Sequence, residues 1–408
     1  MNYLLFLLGN RRFLAFGFLL MFCSSFGQTF FISLFGDHIR SGFGLTHGGF
    51  GAIYSLATLL GAAGLIWIGR RIDKLDLRLY TTLIGTGLAA SCFLLALTTS
   101  PVFIFPAIFA VRFTGQALMS HAASTSMARY FNRQRGKALS ISSLGFAAGE
   151  AILPLIAVSL IAVFGWRETW MLIGLVMAGV FIPLLLWLLR GHGERHRAHL
   201  ESLRTETGDG SAPAERTWTR SDVLHDPRFY LLAFILMAAP FILTGLFFHQ
   251  VHLANFKNWN LEWLAACFVG FAVAKIITSL LTGPLIDRIG ATRLLPTFLL
   301  PLGAALAVLG LFDHPAVALV YMIGGGVTTG ASVTIGGALW AEIYGVANLG
   351  AIKALTSALM VFATALSPVS VGWLIDSGTS MNTISLLGFA YVAAAVLVSL
   401  TLTRRLRA

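Results

Sequence analysis

Charge is what this sequence has least of. Only 11% of its 408 residues are Asp, Glu, Lys or Arg, while 57% are hydrophobic. A soluble domain carries about a quarter of its residues as charge to cover its surface, so one large soluble protein is excluded. Cysteine is nearly as scarce. Cys23, Cys92 and Cys267 fall in three different apolar stretches, which excludes a disulfide framework and any cysteine-based metal site. An Asn-x-Ser/Thr acceptor is absent, favouring a prokaryotic source. No Ser/His set, paired aspartates or zinc-ligand constellation lies at mid-depth of an apolar stretch, so an intramembrane enzyme is disfavoured.

What fills the chain instead is long apolar runs. Twelve recur, at 13–36, 48–69, 79–98, 102–128, 137–163, 169–190, 229–252, 262–283, 292–311, 315–340, 350–373 and 381–403. Each approaches the roughly 20 residues that cross a hydrocarbon core of about 30 Å. Lipid offers backbone N–H and C=O groups no partner, so each run is predicted to be a helix. The first follows Arg11 and Arg12, as a signal peptide does, but it is too long for a signal h-region and reads as a retained span.

The formal net charge of +11 would suit a nucleic-acid partner, but its placement argues otherwise. With both termini in the cytoplasm, 23 of the 28 Lys and Arg residues fall on the inner side. Three, Arg40, Arg167 and Lys257, fall outside and two fall within spans. That is the positive-inside bias of a multi-pass inner-membrane protein. The basic excess sets topology and attracts anionic lipid.

The chain is also duplicated. The hydrophilic segment 191–228, with "ETGDGSAPAER", reads as a cytoplasmic linker between an N-terminal six-helix bundle (1–190) and a C-terminal one (229–408). "RFLAFGFLLMF" from Arg12 matches "RFYLLAFILMA" from Arg228 at an offset of 216. From the second run onward the offset is 214, pairing Gly69 with Gly283, Asp73 with Asp287, Tyr130 with Tyr344 and Pro154 with Pro368. A constant offset through separated landmarks indicates a repeated unit. Two six-helix halves suggest a secondary transporter with its site between them near the midplane.

At Gly69–Arg78, "GRRIDKLDLR", and Gly283–Arg293, "GPLIDRIGATR", the chain resembles the major facilitator superfamily, whose loop follows G-x-x-x-D-R-x-G-R-R. The second copy keeps Asp287, Arg288 and Gly290; the first has Lys74 for Arg and Asp76 for Gly. "YFNRQRGKALSISSLGFAAG" at 130–149 resembles the monocarboxylate-transporter and oxalate/formate-exchanger branch through Tyr130, Phe131, Arg133, Arg135, Ala138, Gly145 and Gly149. Ser140 and Ser142 depart from that pattern, and the branch's acidic first-helix motif is replaced by "SSFGQTFFISLFG". The resemblance implies an all-α fold of twelve transmembrane helices in two pseudo-symmetric bundles. It also implies that Asp73, Lys74, Asp287 and Arg288 govern conformational balance.

Three ionisable residues lie deep inside spans: Arg112, Glu150 and Lys275. At about 1.5 Å per helical residue they sit roughly 25, 20 and 18 Å from the inner edge. A lone charge there costs at least about 2.5–3.5 kcal/mol, so such groups face protein or water and usually pair. Glu150 is expected to answer to Arg112, either as a fixed clamp between helices or as a pair that opens for substrate or proton. Low dielectric disfavours a charged carboxylate, and losing that charge frees Arg112 for an anion. Lys275 reads either as a snorkelling side chain or as an anion contact; the branch's eighth-helix cation falls at Ser279 instead. Gln28 and Tyr54 are candidate cavity-lining residues, or helix–helix hydrogen bonders.

Among lesser candidates, His121 reads as a packed neutral imidazole before a proton relay. His249 and His252 read as solvated or gate-rim residues, with a metal pair disfavoured. Trp340 and Glu342 read as inner interface and gate.

The expectation is a monomeric secondary transporter of a small organic anion, coupled to a proton or exchanged for a counter-anion, with neither cofactor nor metal. A drug–proton antiporter is disfavoured because two cations against one carboxylate give the wrong sign, and because Glu150 stands where that class carries proline. A non-transporting membrane sensor would need a signalling domain, which the linker does not offer.

Overall fold

The computed structural model describes residues 3–73, 75–131, 134–194, 218–345 and 348–407. Among these residues, eleven helices are long and apolar enough to cross a membrane. The run expected as a twelfth span, 292–311, is divided. A short helix Ala291–Leu294 is followed by turns and then by the twelve-residue helix Leu300–Leu311. Pro296 and Pro301 supply the reason, since each removes a backbone donor from that stretch.

The chain forms two compact units. One comprises Met1–Ile32 with Leu60–Pro213, the other Ser33–Leu59 with Ala214–Ala408. Segment 33–59 is thus contributed to the second unit by the first half of the sequence.

Apolar side chains gain little by leaving lipid for one another, so close backbone approach is what joins spanning helices. Small residues provide it. In the first unit, Tyr3–Ser24 lies against Arg135–Phe164, where a Cβ on Gly145 would overlap the carbonyl oxygen of Phe18. In the second, Leu261–Ile289 lies against Ala316–Tyr344, where a Cβ on Gly326 or Gly330 would overlap the carbonyl oxygens of Phe271 or Lys275. Leu280 and Val163, 70% and 73% exposed, show the opposite character of surfaces suited to acyl chains.

The three cations expected on the outer side are all engaged by protein. Arg167 Nη1 donates to the carbonyls of Ala96 (2.8 Å) and Thr98, closing the end of Leu77–Leu97. Lys257 Nζ, fully buried, donates to Leu309 O (2.8 Å), Phe312 O (2.9 Å) and Asp313 Oδ1 (2.5 Å) at the end of Leu300–Leu311. Both satisfy carbonyls that a helix C-terminus leaves open. Lys257 also holds the Asp313 carboxyl below its ordinary range. Arg40 pairs with Asp37 one turn away.

Candidate functional site

The first apolar run does not continue as one helix. Tyr3–Ser24 ends in a 3₁₀ turn, Ser25–Gly27, followed by the single α turn Thr29–Ile32, a second 3₁₀ turn Ser33–Phe35 and Gly36–Phe43. At the first break Gln28 is extended, with φ −85° and ψ 157°. The cause is a contact. Gly27 lies flat on the next helix but two, Pro101–Tyr130, where a Cβ would overlap Gln116 N and stand 2.8 Å from Val111 O. Gly115 returns the fit, since its own Cβ would stand 2.9 Å from Gly27 N.

The break frees a carbonyl. Phe31 N and Ile32 N both donate to Gln28 O, at 3.2 and 3.0 Å, so Gly27 O is passed over. Arg112 Nη1 donates to it at 3.2 Å, with Arg112 only 3% exposed. Where Gly27 presses, the Arg112-bearing helix widens into a π stretch, Arg112–Met119. Such stretches are frequent at functional sites, because they re-aim side chains without ending the helix.

Glu150, 5% exposed, is buried on Arg135–Phe164. The preceding Gly149 packs so closely on the break that a Cβ would overlap Ser25 Oγ. The Ser25 hydroxyl is buried and has no hydrogen-bond partner among the described residues. Arg112 and Gly149, the residue before Glu150, thus meet one turn of the first span from two different helices. Gln28 is half-buried at that turn.

Lys275 belongs to the second unit. It is half-buried on Leu261–Ile289, with Nζ 5.7 Å from the Phe271 ring centroid one turn earlier, a cation–π distance. Tyr54, also in the second unit, is fully buried, and its ring lies 4.5 Å from Phe248.

The loop residues have separate fates. Asp73 ends the 3₁₀ turn Gly69–Asp73, but its side chain and Lys74 lie outside the described residues. Asp287 and Arg288 stand exposed near the end of Leu261–Ile289. Arg288, Arg228, Arg293 and Glu342 line a cavity of about 560 Å³. Glu342 accepts from Ala291 N at 2.7 Å and Thr292 Oγ1 at 2.6 Å, satisfying the start of the short helix there. Trp340 stacks on Tyr344, and His121 Nε2 is 3.3 Å from Gly69 O.

Among the described residues, no group of three or more His, Cys, Asp and Glu is placed to hold a metal ion. His249, one of two imidazoles expected to be solvated or at a gate rim, is 4% exposed and so is not solvated. Its environment was illegible because its partners, His47 and Pro368, lie 202 and 119 residues away. Gly27 and Ser25 were likewise missed. The only signal for them is a Ser-Ser-Phe-Gly-Gln run, polar for its depth, inside an apolar stretch.

Helices interrupted at mid-depth, with charged and polar groups gathered at the interruption, are how a membrane protein holds a polar solute in passage. The fold and this arrangement define a multi-pass transporter rather than an enzyme. The family model described as Major Facilitator Superfamily matches residues 17–269, and the chain belongs to that superfamily. It is 27% identical over 239 residues to the uncharacterized MFS-type transporter YcxA of Bacillus subtilis strain 168. That match covers 57% of this chain and 54% of YcxA, so it spans about half the length of that relative.

Solved structures share the fold at low identity. One is a bacterial homolog of the human lysosomal transporter Spinster, in an inward-facing and occupied conformation. It has a TM-score of 0.69 at 13% identity, covering 97% of this chain and 96% of that one. The nucleoside transporter NupG gives 0.69 at 14% identity, covering 98% and 99%.

Proposed function

We propose that this transporter carries a small organic anion, a carboxylate, by alternating access, with a proton moving alongside it. The observation that carries the reading is Arg112. A guanidinium 3% exposed, held by a carbonyl that a helix break set free, is a positive charge fixed in place at substantial structural cost. Arginine offers five donors in a planar fork that matches a carboxylate. Lys275 supplies the second unit's deep cation, and Gln28 and Tyr54 line the path. The chemistry fits the monocarboxylate and oxalate/formate branch that the 130–149 segment resembles.

Glu150 is the coupling group. Ionised, it competes with the substrate for Arg112; protonated, it leaves the guanidinium to the anion. Asp73, Lys74, Asp287 and Arg288 set the balance between conformations, and the protein works as a monomer in the inner membrane with both termini in the cytoplasm.

The test is uptake of labelled monocarboxylates and dicarboxylates into proteoliposomes, with and without an inward proton gradient. Wild type is expected to accumulate a carboxylate when the gradient is imposed. Arg112→Gln is expected to lose at least tenfold of that uptake. Glu150→Gln is expected to transport without responding to pH. Full anion uptake by Arg112→Gln would reduce that residue to a helix clamp, and an intact pH response in Glu150→Gln would remove the coupling role.

A further inference from the structure

One cavity of the second unit is built from arginine. It has a volume of about 560 Å³ and is lined by Arg228, Arg288 and Arg293, with Thr292 and Glu342. Three elements deliver the guanidiniums. Arg228 stands in the first turn of Pro227–Phe248, Arg288 in the last turn of Leu261–Ile289, and Arg293 on Ala291–Leu294. Gly290, at φ 85°, turns the chain between the last two, in the left-handed region that glycine enters without strain.

The carboxylates at this spot are already committed. Glu342 accepts from Ala291 N and Thr292 Oγ1, which are neutral donors. Asp226 accepts from Tyr344 Oη at 3.1 Å and from Arg228 Nε at 2.9 Å. That pairing uses one edge of Arg228, whose Nη1 and Nη2 make no hydrogen bond among the described residues. Arg288 and Arg293 are exposed and make no hydrogen bond or ion pair among the described residues. Guanidinium stays charged at any working pH, so a cavity that gathers three of them invites an anion. Their forked N–H donors match a phosphate group in two-bond contacts.

The surface beside the cavity tells which phosphate. Leu281 and Leu285 precede Arg288 by seven and three residues, so the three side chains share one helix face. The two leucines are 67% and 43% exposed. Leu231, one turn beyond Arg228, is exposed as well. A free phosphate ion makes no use of an exposed apolar row that ends at an arginine. A phospholipid uses both, with an acyl chain along the leucines and its headgroup at the guanidiniums.

We propose that this cavity binds the headgroup phosphate of an anionic phospholipid, with Arg288 and Arg293 as the principal contacts and Arg228 completing the site. Bound there, the phosphate ties the start of Pro227–Phe248 to the end of Leu261–Ile289. Diffuse attraction of a basic surface to anionic lipid depends on the number of cations near the membrane; this site depends on which cations they are. It operates without any transported solute, so its test does not depend on the anion reading.

The test is lipid binding to the full chain in detergent, followed by native mass spectrometry, with dioleoylphosphatidylglycerol against dioleoylphosphatidylcholine. The unmodified protein is expected to prefer the phosphatidylglycerol at least tenfold. Arg288→Gln with Arg293→Gln is expected to remove that preference. Arg70→Gln with Arg71→Gln subtracts the same charge from the exposed turn Gly69–Asp73 of the first unit and is expected to leave the preference within about twofold. Inorganic phosphate, at the same concentration as the lipid, is expected not to displace it. Absence of a preference in the unmodified protein overturns the proposal even if a variant fails to fold. So do an equal loss in the two double variants, a preference that survives Arg288→Gln with Arg293→Gln, and displacement of the lipid by inorganic phosphate.

Discussion

The two halves of this chain place their deep cations by exchanging roles between equivalent helices. At the offset of 214, Lys275 corresponds to Gly61, and Gly326 corresponds to Arg112. In the first half the second-span position is glycine and the fourth-span position is arginine. In the second half the eighth-span position is lysine and the tenth-span position is glycine. Each half keeps one cation and one glycine, but on opposite members of the helix pair.

The consequences differ because a glycine is where a backbone can approach. Gly326 lets Ala316–Tyr344 touch Leu261–Ile289 so closely that a Cβ would overlap Phe271 O. A Cβ on Gly61 would meet Phe113 only at 3.9 Å, an ordinary contact. The second half uses its glycine to lock two helices. The first half instead presses Gly27 against the Arg112 helix and breaks its first span. One half thus holds a tight helix pair and a half-buried lysine, and the other an interrupted helix and a buried arginine.

If that comparison holds, the cations are unequal. Arg112→Gln removes a buried charge-assisted contact of about 1.5–3 kcal/mol and is expected to lower carboxylate uptake by at least tenfold. Gly326→Ala is expected to cost about 1–3 kcal/mol through overpacking, read as a lower unfolding temperature in detergent. Lys275→Gln is expected to lower uptake only a few-fold at saturating substrate, because Lys275 is only half-buried. Gly61→Ala, having room for a methyl group, is expected to leave the unfolding temperature within error of wild type. Equal losses in Arg112→Gln and Lys275→Gln, or equal destabilisation by the two glycine substitutions, would break the asymmetry.

Much of this was legible because membrane insertion writes itself into sequence. Eleven of the apolar runs correspond to helices long and apolar enough to cross a membrane. The divided run at 292–311 carried its own signal in Pro296 and Pro301, which hydropathy averaging hides. The break at Ser25–Gly27 was not legible, because no proline marks it and its cause is the contact of Gly27 with another helix. The same holds for His47, whose contacts appear only when residues some 200 and 329 positions away are brought beside it. Local pattern reports the solvent of each helix; it does not report which helices meet.

The most direct test of the central claim is solute sign. Purified protein in liposomes, under an inward proton gradient, would be offered a labelled monocarboxylate and a labelled lipophilic cation in parallel. The account predicts accumulation of the carboxylate, abolished by dissipating the gradient, and no movement of the cation. Gradient-driven movement of the cation with the carboxylate left outside would contradict it.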